Sequence, residues 1–135
     1  MLSIELPAVI ESLRVFQEAA SHEAEAAGFS PKGILNLQLV LEEILTNIFH
    51  HAYGEGGGPV FVELKATSGE IRIRIEDRGK PFNLLEAEEP DTTSPMEDRM
   101  VGGLGIMLIR RLARHLSYKR EAGKNIVEIL MEERA

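Results

Sequence analysis

A glutamate and an asparagine four residues apart, Glu43 and Asn47, lie inside a segment of helical pattern. At ~100° per residue, Asn36, Val40, Glu43 and Asn47 share one narrow stripe, and Glu42 points about 100° away from Glu43. An amide oxygen on that stripe can ligate a hard cation such as magnesium, which keeps most of its waters and takes other ligands from phosphates. A carboxylate beside it can accept a proton from a nucleophile attacking a γ-phosphate. The same pair would serve equally as the wet face of an amphipathic helix, and spacing alone leaves both readings open. Asp77 ends an alternating segment just before Arg78-Gly79-Lys80-Pro81-Phe82. A carboxylate there could read the exocyclic amine of adenine, and Gly79 would let the backbone pass close to a flat base. Pro81 and Phe82 could add an apolar wall. A strand-ending turn is the plainer account of the same residues.

Gly102-Gly103-Leu104-Gly105 opens a further apolar segment. Glycines at a helix start expose backbone N–H groups to an anion, and the helix dipole adds to the attraction. The cluster does not follow a strand in a βαβ unit and no Walker lysine follows it, so neither a Rossmann nor a P-loop reading fits. In order along the chain stand a carboxylate and amide on one helix, an Asp-x-Gly turn and a glycine-rich helix start. A magnesium triphosphate needs that order.

These residues need elements to hold them. Ser3 to Leu6 reads as a first strand, and Pro7 opens a helical pattern through Val9, Leu13, Phe16 and Ala20 that Gly28 closes. Ser30-Pro31 starts the next helix, with the serine as N-cap, and that helix runs to about Ala52. On it Leu37, Leu41, Ile44 and Ile48 make a seam about a quarter-turn from the Glu43 stripe, suited to face a sheet. Pro59 to Ala66 and Glu70 to Asp77 predict two strands joined by Thr67-Ser68-Gly69. Ile71, Ile73 and Ile75 alternate there with Arg72, Arg74 and Glu76. Leu104 to Leu116 predicts a third helix. Ser117 to Arg120 and Asn125 to Met131 predict a last hairpin around Ala122-Gly123-Lys124. About five strands adjacent in pairs, with three helices, give an α+β class: a sheet covered by helices on one face.

The chain has 135 residues, which suits one domain with its own core. Without cysteine, disulfides and thiolate metal sites are excluded. A net charge of -7 argues against a broad nucleic-acid-binding surface. Neither a signal peptide nor a membrane-spanning run is visible, so a cytoplasmic location is expected. Residues 83 to 102 are acidic and without period, as befits a lid or a surface loop. His50 and His51 read as cations near a helix C-terminus. His22 and His115 read as surface residues, and Arg110, Arg111 and Arg114 as a solvated face.

Taken together, Glu43-x-x-x-Asn47 with His51-Ala52-Tyr53, then Asp77-x-Gly79-x-Pro81-Phe82, then Gly103-Leu104-Gly105 resemble the GHKL ATPase superfamily. The closer resemblance is to the stand-alone anti-sigma-factor serine/threonine kinases of bacterial partner-switching systems, and it covers nearly the whole chain. It implies a single domain over residues 1–135: a Bergerat-type two-layer sandwich with a mixed, mainly antiparallel sheet and residues 83–102 as the ATP lid. By matching positions, Glu43 would be the general base and Asn47 the magnesium ligand. Asp77 would hold adenine, with Gly79, Phe82, Gly102, Gly103, Leu104 and Gly105 shaping the base and phosphate sites. Where the family often has a threonine after a glycine, this chain has Gly123-Lys124-Asn125, so Asn125 takes that role. The basic residue often found before the second glycine box is absent; Arg99 could replace it. Implied partners are ATP with Mg2+, a STAS-domain antagonist as phosphoacceptor, a sigma factor as sequestered regulator, and a second copy in a homodimer. No nucleic-acid or membrane contact is implied. A non-catalytic, nucleotide-dependent binding module is the competing reading. No dimerisation helix with a phosphoacceptor histidine is expected before the domain, which sets it apart from a complete sensor kinase.

Overall fold

A computed structural model describes residues 1–54, 57–86 and 103–133. Most of the expected lid, residues 87–102, lies outside the described residues, and Gly102 and Arg99 with it. In chain order the elements are β1 (Leu2–Pro7), α1 (Ile10–Ala26), α2 (Pro31–His51), β2 (Pro59–Thr67) and β3 (Glu70–Asp77). A short 3-10 turn follows at Leu84–Glu86, then α3 (Gly103–Leu112), β4 (His115–Glu121) and β5 (Lys124–Glu132).

The strands form one five-stranded sheet in the order β1-β2-β3-β5-β4. Its partners include Ile4 with Val62, Val62 with Ile75, Ile75 with Val127 and Tyr118 with Val127. Every pairing among the described strands is antiparallel. The expected α+β sandwich forms, but without the parallel pairing of a mixed sheet. Tight hairpins join β2 to β3 and β4 to β5, and a hairpin can pair its strands only antiparallel.

The alternation in β3 settles which face is inward. Ile71, Ile73 and Ile75 are buried, and so is Asp77 at the end of the same row. Leu37, Leu41, Ile44 and Ile48 of α2 are buried in one core with them and with Val60, Val62, Leu64, Val127, Ile129 and Met131. The seam read from the sequence is therefore the one the fold uses. Each such aliphatic side chain contributes roughly 1.5–3 kcal/mol on full burial. The other face of the sheet is mostly polar, with Ile126 buried among its charged side chains. There Arg74 pairs with Glu76 at 2.7 Å and Glu128 at 3.6 Å, and Lys124 with Glu76 at 3.6 Å. Such pairs stabilise by about 0–1 kcal/mol each, so they keep this face wet rather than hold the fold.

The ends of α2 follow from local chemistry. Ser30 is extended and its hydroxyl accepts the Gly33 N–H at 3.1 Å, with Pro31 in the first turn. Gly28, at φ +91°, ends the chain's run out of α1. Two boundaries differ from expectation by three residues or more. Pro7 is the last residue of β1, opposite Pro59, and α1 starts only at Ile10. Proline is tolerated on this edge strand because no ladder bond is lost there. The third helix stops at Leu112, not Leu116, because the Arg114 N–H turns to the Leu130 carbonyl at 2.7 Å and starts β4. Leu116 and Tyr118 then pair across from Ile129 and Val127. Leu112 and Leu116 fit a helical period as well as a strand start, and cross-strand packing decides between them.

Candidate nucleotide site

The site is built along the last turns of α2. Glu43 and Asn47 lie on the flank of the buried seam and are each half-buried. The Asn47 side-chain nitrogen donates to the Glu43 backbone carbonyl at 2.7 Å. That bond fixes the amide, and its oxygen accepts no hydrogen bond among the described residues. Burial, with the charge of neighbouring Glu42, raises the Glu43 carboxyl above its ordinary pKa. Glu42 itself is exposed, as the helical geometry required.

Gly105, in the first turn of α3, lies directly against the Glu43 carboxylate. A β-carbon at position 105 would overlap the carboxylate oxygen. The helix that the glycine cluster opens therefore abuts the Glu43 end of the stripe. Gly103 begins α3 and Leu104 follows it.

At the other end of the stripe, His51 stacks on Phe82, ring centroids 5.0 Å apart at 26°. From Glu43 to His51 is two helical steps of four residues, about 12 Å at 1.5 Å per residue. The Phe82 N–H donates to Asn125 Oδ1 at 3.1 Å. Asn125 Nδ2 donates to Asp77 Oδ1 and to the Lys80 carbonyl, both at 2.8 Å. The Tyr118 hydroxyl also donates to Asn125 Oδ1. A carboxamide has two N–H donors and two acceptor lone pairs, so these bonds use its whole capacity. Asn125 thus holds Asp77 and has nothing left for a ligand.

Asp77 is 2 % exposed. Its Oδ1 also accepts the Gly79 N–H at 2.9 Å, while Oδ2 accepts nothing among the described residues. Burial raises its pKa; the Asn125 and Gly79 bonds and the Arg120 charge oppose that only in part. A buried carboxylate oxygen without a donor is costly and asks for a partner. Gly79 is a glycine for space: a β-carbon there would overlap the Ala52 carbonyl. The Arg120 guanidinium holds the Gly79 carbonyl at 2.7 Å.

Contacts thus link Gly105 to Glu43, and His51 to Phe82 and on through Asn125 to Asp77 and Gly79, with Glu43, Asn47 and His51 spaced four apart on one helix. An elongated ligand could lie along it, its anionic end at α3 and its amine-bearing end at Asp77. Asn47 offers a hard oxygen of the kind a magnesium ion takes. No group of three or more His, Asp or Glu positioned to hold a metal is present among the described residues, so phosphate and water would complete the shell. Clefts of about 220 Å³ beside Phe61 and Lys124 and about 440 Å³ beside Ser30 and Glu133 are lined by neither Glu43 nor Asn47. His51, Tyr118 and Arg120 were not read as site residues. Extending the Glu43–Asn47 stripe one turn reaches His51. Nothing local marks Tyr118 and Arg120, which act from across the β4–β5 pairing.

Comparison with known proteins identifies the family. Residues 6–131 match the model of the histidine kinase-like ATPase domain. The serine-protein kinase RsbW of Listeria monocytogenes serovar 1/2a is 29% identical over 131 residues, covering 93% of this chain and 83% of the relative. The serine/threonine-protein kinase BtrW of Bordetella bronchiseptica is 32% identical over 90 residues, 66% of this chain and 63% of the relative. Among solved structures, the RsbU and RsbW domains of a Mycobacterium tuberculosis protein superpose with a TM-score of 0.63 at 16% identity. That match covers 98% of this chain and 32% of the mycobacterial one. The Pseudomonas aeruginosa SiaB-SiaC complex gives 0.60 at 18% identity, covering 97% and 89%. These two share the fold. Among the described residues no helix is long and apolar enough to cross a membrane. The chain belongs to the histidine kinase-like ATPase domain family, and the relatives named above are serine- and serine/threonine-protein kinases.

Proposed function

We propose that this chain is an ATP-dependent serine/threonine protein kinase that phosphorylates a STAS-domain antagonist and otherwise sequesters a regulator such as a sigma factor. The observation that carries the reading is the pairing of two ends on one helix edge. At one end Glu43 lies against the start of α3. At the other, buried Asp77 is held through Asn125, with one oxygen unpartnered among the described residues. Kinship with the serine-protein kinases RsbW supports the activity.

Asp77 Oδ2 accepts the exocyclic amine of adenine, and Gly79 lets the base lie close to the backbone. Phe82, backed by His51, forms an apolar wall. The backbone at Gly103, Leu104 and Gly105 receives the phosphates, within one domain of residues 1–135. Asn47 Oδ1 would hold the magnesium ion, which when bound offsets phosphate charge. Glu43 accepts the proton of the attacking serine or threonine hydroxyl. A bond forms from that oxygen to the γ-phosphorus as the bond to the β-phosphate oxygen breaks, and ADP leaves. A raised pKa makes Glu43 a stronger base than an exposed glutamate. The working form is a homodimer.

The test is transfer of labelled γ-phosphate to a STAS-domain protein. Glu43→Ala and Asn47→Ala should each abolish it, and transfer that survives both would show the site to be wrong. Thermal stabilisation by ATP with no phosphoprotein product would select a nucleotide-dependent binding module instead.

A further inference from the structure

The end of α2 is fastened to the turn after β3. The Lys80 N–H donates to the Ala52 carbonyl at 2.8 Å, and Gly79 packs on Ala52 with no room for a side chain. Beyond them, the Tyr53 hydroxyl accepts the Arg78 N–H at 2.7 Å and donates to the Pro59 carbonyl at 2.6 Å. Its ring lies so close over Gly58 that a β-carbon there would overlap it. Arg78 is the first residue past the β3 ladder, so its N–H has no strand partner. Water could satisfy that donor but would not fix its direction. The tyrosine does both: it fixes the peptide between Asp77 and Gly79 relative to the first residue of β2. Among the described residues its hydrogen bonds go to neither Asn47 nor Gly105.

We infer that Tyr53 is a positioning residue for base recognition. Its hydroxyl sets the peptide that follows Asp77 and so aims the free carboxylate oxygen at the base. This rests on the nucleotide reading above. It predicts a split that a general packing role would not produce. The adenine end of the ligand depends on Tyr53, and the phosphate end, about 12 Å along α2, does not.

NMR titration of the full chain with adenosine, and separately with magnesium tripolyphosphate, tests this split. In Tyr53→Phe, which keeps the ring over Gly58, adenosine affinity should fall about three- to tenfold, the usual worth of one hydrogen bond. Tripolyphosphate affinity should not change. Unchanged adenosine affinity overturns the inference. So does a parallel loss for both ligands accompanied by a lower melting temperature, which would make Tyr53 a scaffold residue. If the variant does not fold, hydrogen exchange at the Arg78 amide of the unaltered protein decides. Adenosine should slow it, and an unchanged rate overturns the inference. Should the unaltered protein bind neither ligand, the nucleotide reading fails and Tyr53 has no base to position. Tripolyphosphate binding without adenosine binding would remove only the base assignment and this inference with it.

Discussion

The Glu43 carboxylate occupies the space in which a side chain on Gly105 would begin. One residue comes from the third-to-last turn of α2 and the other from the first turn of α3, and nothing larger than hydrogen fits between them. Gly105 therefore owes its identity to close approach rather than to unusual backbone angles. The contact sets the distance between the proposed base and the helix start that would receive phosphates.

Gly105→Ala should separate fold from catalysis. The group it would strike is the far end of a flexible side chain, which can swing aside without disturbing the core. The melting temperature should change little, in keeping with the ~0.5 kcal/mol of substitutions that miss the core. Phosphotransfer should fall about 100-fold or more, the usual worth of a positioned general base. Thermal unfolding and transfer rate measured on one preparation check this. Full activity would mean Glu43 does not act from this position.

The pH dependence of transfer reports on the same carboxylate. Burial and then the Glu42 charge raise the Glu43 pKa. The base works only when ionised, so kcat/KM should fall on the acid side with a midpoint above the ~4.3 of an ordinary glutamate. Glu42→Gln removes one raising influence and should move that midpoint to lower pH while leaving the plateau in place. A midpoint that stays put, or rises, would detach the acid limb from Glu43.

Asp77→Asn should leave the fold intact and spoil the base site. Burial raises the Asp77 pKa, so the folded state holds its proton more tightly than the unfolded chain does. The stability cost of ionisation is absent below the unfolded value of ~3.9. It grows as pH rises through the folded value and then stays constant. An asparagine oxygen can keep both bonds, from Gly79 and Asn125, without that cost. At neutral pH the variant should melt no lower than the parent. Its amide N–H groups would oppose the donor amine of adenine, and ATP affinity should fall about 10- to 100-fold, from 1–3 kcal/mol for an unpaired polar group. Calorimetric titration beside thermal unfolding tests both halves. A melting point several degrees lower would assign Asp77 to the fold instead.

Much of this was legible from residue spacing, and the exceptions have physical causes. Alternation set Ile71, Ile73 and Ile75 on one row, to whose end the structure adds buried Asp77, and helical spacing separated Glu43 from Glu42. Both depend on local periodicity, which a single segment displays. Leu116 was assigned to a helix because its period is satisfied there too, and only pairing with Ile129 shows it to be strand. The support around Asp77 was hidden for the same reason. Tyr118 and Arg120 reach Asn125 and Gly79 across strand register, and no local pattern encodes that register. His51 could be read as a helix-end cation because its stacking partner, Phe82, lies on a distant loop.

The far end of α2 gives a prediction about stability alone. Glu133 accepts the Ser30 N–H at 2.8 Å and the Ser30 hydroxyl at 2.6 Å, tying the chain after β5 to the start of α2. The Ser30 hydroxyl and backbone bonds lower the Glu133 pKa. A carboxylate with a depressed folded pKa contributes stability that is present above its unfolded value and is lost as pH falls through the folded one. Glu133→Gln should therefore lower the melting temperature at neutral pH. The gap to the parent should close as the pH is taken below the ordinary glutamate range of ~4.3. Added salt should narrow it by screening the carboxylate from the positive end of α2. Phosphotransfer per folded molecule should not change, because Glu43 and Asn47 lie turns away. A gap that is the same at pH 7 and pH 3 would show that Glu133 acts there through its shape rather than its charge.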